Sequence, residues 1–540
     1  MNVRIVPISP FDDQRPGTSG LRKSTRQFQA KDYLAAFIQA VFDTRPVDRE
    51  IVLGGDGRFF SEPATQEILR IAAGNGVRRV VVGQNGLLST PAVSHLIRSR
   101  EAWGGIILSA SHNPAGPDGD FGVKINGRNG APAPEDLTEA IFAQTRETSA
   151  YMTFDAADVD LARQGIREIG PMTVEVIDPV ADYADLMERL FDFDRIVHFL
   201  SSTNGGLLFD AMHAVTGPYA KEVFCRRLGA PESSILRGQP LPDFGGGHPD
   251  PTLANARVLA GLMNAEDAPP LGAASDGDGD RHFVMGPGLP VNASDSLAIL
   301  LANAEYVPGY RGRIAGVARS MPTSRAVDAV AGAMGVPCYE TPTGWKYFGA
   351  LLDADLITLC GEESAGAGSD HIREKDGIWA ILYWLNILAA RGLSVADLMQ
   401  QHWARYGRVA AQRIDWDGLP GDRASDAIDT LRRRLGALPG ATLAGRLVEN
   451  ADDFAYEDPL TGTRSGQHGL RFTLSDGGRV VIRLSGTGTS SATLRVYLDQ
   501  LGAPASSSAA AATGGLEAVA KELVSAADAS LLSQGRQTRT

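Results

Sequence analysis

Short continuous apolar runs alternate along this chain with longer segments whose apolar residues recur at helical spacing. Ile51-Val52-Leu53, Val80-Val81-Val82, Ile106-Ile107-Leu108 and Leu207-Leu208-Phe209 are unbroken apolar runs. That is the pattern of strands covered on both faces. Helical periodicity predicts helices over 33–42, 62–74, 218–228, 294–304, 424–436 and 516–531. Gly-rich turns punctuate the two patterns, as in Gly54-Gly55-Asp56. Such alternation predicts an α/β protein built on mixed or mostly parallel sheets.

The rhythm falls into four units, 1–178, 179–291, 292–405 and 406–540. The first three have a similar α/β rhythm. The fourth is richer in strands, over 470–499. Ala503–Gly515 is an Ala/Ser/Gly tract and is expected to be a flexible surface connection. The longest apolar stretch, Ile378–Ala390, is broken by Asn386 and is too short to span a bilayer.

Length and charge narrow the reading. A chain of 540 residues exceeds one core, and roughly three to five domains of ordinary size are expected. The formal charge of −13 argues against nucleic acid as a partner. Anionic ligands then need local clusters of cations. Lysine use points to one: of seven lysines, Lys23 falls in a Gly-rich basic loop, Arg15–Lys23, and Lys124, Lys346 and Lys375 fall in stretches singled out below. The three cysteines form no CxxC pair, so neither a disulfide framework nor a zinc site is expected. Each is expected to be buried, in a reducing compartment. Met1–Pro10 lacks a basic region followed by an apolar core, so no signal peptide, no membrane association and a cytoplasmic setting are expected.

Four loops carry candidate chemistry. The run Ile106-Ile107-Leu108 leads into Ser109-Ala110-Ser111-His112-Asn113-Pro114. Asn-Pro marks a turn, so Ser111 is expected on a loop at a strand end with its hydroxyl facing outward. A Gly-x-Ser-x-Gly elbow would need glycines at Ser109 and Asn113, which excludes the hydrolase reading. A serine flanked by His112, with Lys124 returning to the loop, suits a phosphoserine.

Asp276-Gly277-Asp278-Gly279-Asp280-Arg281 places three carboxylates at alternate positions of a loop that glycines let curl. Hard oxygen ligands suit Mg²⁺ or Ca²⁺. An EF-hand is excluded, because Arg281 and Pro287 stand where it needs Gly and Glu. Mg²⁺ with a position open to a phosphate oxygen fits better.

Arg483-Leu484-Ser485-Gly486-Thr487-Gly488 through Arg495 can cradle an anion with backbone N–H groups, hydroxyls and two guanidinium groups. It can also be a plain Gly/Ser-rich hairpin turn. It is not a Walker A loop, since the chain has no Gly-Lys pair. Gly361-Glu362-Glu363-Ser364 through Lys375 is dense in carboxylates and hydroxyls that suit a sugar. Thr343-Gly344-Trp345-Lys346 adds an aromatic ring and a cation. Trp345 taken without its neighbours reads as core packing.

Together these stretches resemble the α-D-phosphohexomutase superfamily. The Ser111, Asp276–Arg281, Gly361–Ser364 and Ser485–Gly488 loops occur in that family's order, and the resemblance runs to about residue 500. It is closest to the type acting between glucose 1-phosphate and glucose 6-phosphate. The resemblance implies three related mixed α/β domains and a smaller α+β C-terminal domain around a central cleft. It implies that Ser111 is the phosphoserine, and that Asp276, Asp278 and Asp280 hold Mg²⁺ with a phosphoserine oxygen. Arg22, His112, Lys124, Arg281 and Lys375 would line the reacting centre. Thr343, Gly344, Glu362 and Ser364 would meet the sugar, and Arg483, Ser485, Gly486, Thr487 and Arg495 the phosphate not being transferred.

Glucose 1,6-bisphosphate would be intermediate and activator, and the partner a phosphorylated hexose, with the enzyme a monomer or homodimer. Either His112 or Lys375 would handle the proton. A phosphomannomutase or dual-specificity enzyme would share Ser111 and the metal loop and differ in sugar contacts. A catalytically silent scaffold would not need Ser111, three aspartates and both arginines intact. Ala365, Ala367 and Thr489-Ser490-Ser491 depart from the family pattern and leave sugar selectivity open.

Overall fold

The computed structural model describes residues 3–202, 206–485 and 491–539. Three of its sheets deliver a polar loop in the same way. In the first, Ile51–Gly55 lies parallel to Arg79–Leu87 and to Gly104–Leu108. The chain leaves Gly104–Leu108, forms the Ser111 loop, and returns antiparallel as Asp120–Asn126. In the second, Leu207–Asp210 is parallel to Leu271–Ser275, which turns through the aspartate loop into antiparallel His282–Gly286. In the third, Val317–Ser320 is parallel to Leu359–Gly361, which turns through Glu362–Gly366 into antiparallel Ala367–Ser369. A parallel strand buried on both faces is apolar, so the first polar residues after it lie at the sheet's end. The three loops therefore emerge at equivalent places.

They also meet. Arg281 and Gly366 pair as an isolated antiparallel bridge. His282 N–H donates to Ala365 O at 3.0 Å, and Thr90 N–H to Asp278 O at 2.9 Å. Gly377 N–H donates to Gly279 O at 3.0 Å. Gly277 is required at its place, because a Cβ there would stand 2.4 Å from Ser111 O. Behind the loops, helix Gly377–Arg391 is buried from Gly377 through Leu388. This is the longest apolar stretch, and it is core to one cluster shared with residues from 88–107, 180–230 and 271–331. Among the described residues no single helix is long and apolar enough to cross a membrane.

The fourth sheet is antiparallel, in the order Thr442–Leu443, Arg446–Asp453, Leu470–Leu474, Gly478–Ser485, Ser491–Leu501, Val409–Pro420, Arg536–Arg539. Helices Gly421–Arg434 and Ala509–Ala527 cover its core.

Three expectations are corrected. Most of the Ala/Ser/Gly tract is the start of helix Ala509–Ala527, not a flexible connection. Alanine is the strongest helix former, and Ser508 caps the helix by accepting from Ala511 N–H at 3.1 Å. Of the cysteines only Cys360 is buried; Cys225 is half-buried and Cys338 exposed. The helix expected over 218–228 begins at Thr216 and widens into π geometry over Lys221–Arg227.

Candidate active site

Ser111 sits at φ +55° in the left-handed region, which costs a non-glycine residue on the order of 1 kcal/mol. Its surroundings hold it there. Ser111 N–H donates to Ser109 Oγ at 2.7 Å, and Ser109 Oγ donates to Asp56 at 2.6 Å. Arg58, ion-paired with Asp56, donates to Ser111 O at 2.7 Å. Asp56, Arg58 and Ser109 are all buried. The hydroxyl does not face outward as expected: Ser111 is only 1% exposed, and its Oγ donates to Asp276 Oδ2 at 3.0 Å. The turn folds the serine inward onto the second sheet's loop. His112 Nδ1 lies 3.5 Å from Ser111 Oγ, and the His112 ring stacks on His248.

Asp276, Asp278 and Asp280 place one oxygen each within 4.8 Å of one another, all buried. Asp276 Oδ1 accepts from the N–H groups of Asp280 and Arg281 at 2.9 and 3.0 Å. Asp278 Oδ2 accepts from Thr90 Oγ1 at 2.5 Å and from Lys124. Lys124 also stands 3.5 Å, and Lys375 3.2 Å, from Asp280. Arg281 pairs with Asp250 at 3.1 Å and lies 3.9–4.0 Å from Asp276 and Asp280. Burial, together with Asp280 and Asp278, pushes the Asp276 carboxyl well above the usual range. Burial would do the same to Asp278, but Lys124 and Thr90 outweigh it and hold that carboxyl below the usual range. Burial disfavours charge on Lys124 and Lys375, and the facing carboxylates more than restore it.

Two oxygens of the cluster, Asp278 Oδ1 and Asp280 Oδ1, are buried without a hydrogen-bond partner. An orphaned carboxylate oxygen is costly, and a hard cation satisfies it. The donor set is all oxygen and suits a divalent metal.

Above the cluster lies a cavity of about 230 Å³. Its walls include Arg22, His112, Lys124, Asp280, Arg281, Thr343, Gly344, Glu362, Ser364, Lys375 and Arg495. Glu362 accepts from Gly344 N–H at 3.2 Å and stands 4.0 Å from Lys375. Burial raises the Glu362 carboxyl, opposed by Lys375. Burial also lowers Arg22 and, with Arg281 and Arg22 nearby, His112. A larger crevice of about 770 Å³, walled by Phe60, Pro218, Lys221 and Gln239 among others, holds none of the site residues expected from sequence.

Ser111, Asp276 and Asp278 form the floor beneath the cavity, joined to it through His112, Lys124 and Asp280. Arg483 and Ser485 stand apart, at the end of strand Gly478–Ser485. Arg483 is paired in register with Arg495 across that hairpin and donates to His468 O at 3.2 Å. Gly486 and Thr487 lie outside the described residues. Two of the four loop lysines serve elsewhere: Lys23 pairs with Asp13 at 3.4 Å and Lys346 with Glu135 at 2.6 Å. Trp345 fits both readings: it is 4% exposed and packs edge-on against Phe348 at 5.0 Å, and it also lines the cavity, with Lys375 Nζ 5.9 Å from its ring centroid.

Sequence reasoning missed Asp56, Arg58, Ser109 and Thr90 as parts of the site. The one available signal was polarity: Asp56 and Arg58 follow an apolar strand, as the aspartate loop does.

Models of four families match the chain in order. They are phosphoglucomutase/phosphomannomutase α/β/α domain I over 13–152, domain II over 181–288 and domain III over 293–406, and the phosphoglucomutase-1 C-terminal domain over 408–535. The chain is 51% identical over 502 residues to a phosphoglucomutase of Rhizobium radiobacter, covering 92% of each. It is 49% identical to a chloroplastic phosphoglucomutase of Arabidopsis thaliana over 93% of this chain and 83% of that one. The crystal structure of the phosphoglucomutase parafusin from Paramecium, in an open form, superposes with a TM-score of 0.90 at 40% identity, covering 97% of each chain.

Proposed function

The chain belongs to the phosphoglucomutase/phosphomannomutase family, as a phosphoglucomutase, and on that premise we propose how its own residues interconvert glucose 1-phosphate and glucose 6-phosphate. Ser111 carries the phosphoryl group. The observation that carries this reading is the Ser111 hydroxyl at 3.0 Å from Asp276, inside a buried triad of carboxylates with two orphaned oxygens.

Asp276, Asp278 and Asp280 would hold Mg²⁺ together with an oxygen at Ser111. The ion, when bound, supplies positive charge to a transferring phosphoryl group. Lys124, Lys375, Arg22 and Arg281 add fixed charge around the same point, which is most of what phosphoryl transfer asks of a protein. Ser111 gives its phosphoryl group to O6 of glucose 1-phosphate. The hydroxyl proton leaves O6 as the new P–O bond forms and the bond to Ser111 Oγ breaks. In an in-line transfer O6 and Ser111 Oγ stand on opposite sides of phosphorus. His112, whose Nδ1 is near Ser111 Oγ, therefore handles the proton that Oγ takes up on leaving. The proton from O6 departs on the cavity side, and Lys375, engaged by Asp280 and Glu362, keeps its charge for the phosphoryl group.

The glucose 1,6-bisphosphate so formed turns over in the cavity. Its phosphate at C1 then faces Ser111 and is returned, leaving glucose 6-phosphate. Glu362 and Ser364, with Thr343 and Gly344, meet the sugar hydroxyls. Arg483, Ser485, Gly486, Thr487 and Arg495 take the phosphate that is not reacting. The four working units are 1–178, 179–291, 292–405 and 406–540. Three free cysteines fit a cytoplasmic setting, and the site needs no second subunit, which fits a monomer or homodimer.

Phosphorus NMR tests the reading. The enzyme with Mg²⁺ and trace glucose 1,6-bisphosphate is offered glucose 1-phosphate and mannose 1-phosphate in parallel. Preferred conversion of the glucose ester, lost in Ser111→Ala, is expected. Full turnover by Ser111→Ala would overturn the phosphoserine.

A further inference from the structure

Lys375 lies on a short loop closed at its base by two side chains. His371 Nε2 meets Asp376 Oδ2 at 3.1 Å, spanning the four residues that include Glu374 and Lys375. From this loop Lys375 reaches Asp280, and Glu374 accepts from Asn126 at 3.0 Å.

The closing pair belongs to a longer buried chain of hydrogen bonds, and one placement of protons satisfies every link. Trp379 Nε1–H donates to the Tyr310 hydroxyl at 2.6 Å, and Tyr310 donates to Ser369 Oγ at 2.7 Å. Ser369 donates to His371 Nδ1 at 2.6 Å, and His371 Nε2–H donates to Asp376. Tyr183 donates to the other oxygen of Asp376 at 2.6 Å, and so does Trp379 N–H at 3.0 Å. This fixes the His371 tautomer through its neighbours, as in sites where imidazole orients another group. The His371 ring also stacks on Trp379, with centroids 5.2 Å apart.

Ser369, His371 and Asp376 have the residue types of a nucleophilic triad, but they are not one. Ser369 and Asp376 are 0% exposed, and none of the three borders the cavity. The trio touches no reacting atom. What it does touch is the loop that presents Lys375.

We propose that His371 is a positioning residue: by closing loop 371–376 onto Asp376 it holds the Lys375 ammonium against Asp280, where charge is needed. This rests on the reading above that Lys375 stabilises the transferring phosphoryl group. A fully satisfied buried network rigidifies what it holds, and misplacement of a catalytic group by about 1 Å costs about 100-fold in rate.

The test is a double-mutant cycle on the whole enzyme, with thermal unfolding of each variant as the check on folding. His371→Asn removes the donor to Asp376, while His371→Gln keeps an amide that reaches it. Expected for His371→Asn is a fall in kcat of about 100-fold with KM little changed, and for His371→Gln a loss below about 10-fold. The double variant His371→Asn/Lys375→Met is expected within about 3-fold of Lys375→Met alone, since a residue acting through another adds nothing once that one is gone.

If the two losses instead multiply, or if His371→Asn keeps the parent kcat, the positioning role is wrong. If His371→Asn does not fold, Ser369→Ala carries the same cycle, because it loosens the imidazole without removing it. Parent-level turnover in Lys375→Met would refute the role of Lys375 itself, an outcome distinct from multiplied losses.

Discussion

The aspartate centre and the arginine pair of the fourth sheet, both proposed to meet phosphate, are built in opposite ways. Around Asp276–Asp280, cations and carboxylates face one another, buried and cross-linked by three sheets, with two carboxylate oxygens left open for a metal. At the hairpin, Arg483 and Arg495 stand directly opposite each other in register. Like charges so placed repel. Arg495 Nε has no hydrogen-bond partner, and its nearest carboxylate, Asp415, is 4.0 Å away. On the proposed reading the centre needs only its metal before substrate arrives, and the arginine pair would be completed by the anion it receives. Chemistry needs fixed groups. A phosphate that must be released and rebound after the intermediate turns needs a site that can let go.

The sharpest way to break this contrast is at the floor. Ser111→Ala should lower kcat by at least about 10⁴-fold with the fold intact, since loss of a nucleophile is the costliest single change in a catalytic unit. A coupled assay and thermal unfolding decide it. Removing divalent ions with EDTA should cost about 10³-fold, restored by Mg²⁺. Activity that survives exhaustive chelation would mean that Lys124 and Lys375 neutralise the cluster unaided.

At the arginine pair the effect should move to binding. Arg495→Ala is expected to raise KM about 10- to 100-fold, the worth of a hydrogen bond to a charged group, with a smaller change in kcat. It should leave stability unchanged or slightly raised, because the substitution relieves a like-charge contact. A fall in kcat equal to that of the floor variants would erase the distinction between the two regions.

How much of this was legible in the sequence differs between the same two regions. The Ser111, Asp276–Asp280 and Glu362 loops were readable because each is a polar burst directly after a buried strand. What holds them was not. Arg58 reaches Ser111 across 53 residues and Thr90 reaches Asp278 across 188, and nothing in local spacing marks such pairs. The burial of Ser111 is hidden from local sequence for the same reason, since the loop that covers it comes from the second sheet. In the fourth unit the two arginines were legible, but their opposition was not, because register depends on the whole hairpin. The helix over 509–527 was obscured by small residues whose composition suits a linker and a helix equally.

The smallest expected effect lies in the helix joining the two regions, Val395–Tyr406, which leads into the fourth sheet. His402 is 5% exposed there, its Nδ1 has no partner, and burial pushes it down to about 4. The unfolded chain holds that histidine near 6.5, so between pH 6.5 and 4 it binds more protons than the folded one. Stability from this group is therefore fully present above pH 6.5 and is lost as pH falls towards 4. From pH 7.5 to 5.5 the loss is about 1.4 kcal/mol, a tenfold change in the folding equilibrium. His95 and His282, also held near 4 chiefly by burial, act with the same sign. His402→Leu removes one share of that slope while theirs persists. Denaturant unfolding at pH 7.5 and 5.5 measures it. An unchanged slope would mean that His402 takes up its proton in the folded enzyme, and that the joint between the aspartate centre and the arginine pair opens to water at mild acidity.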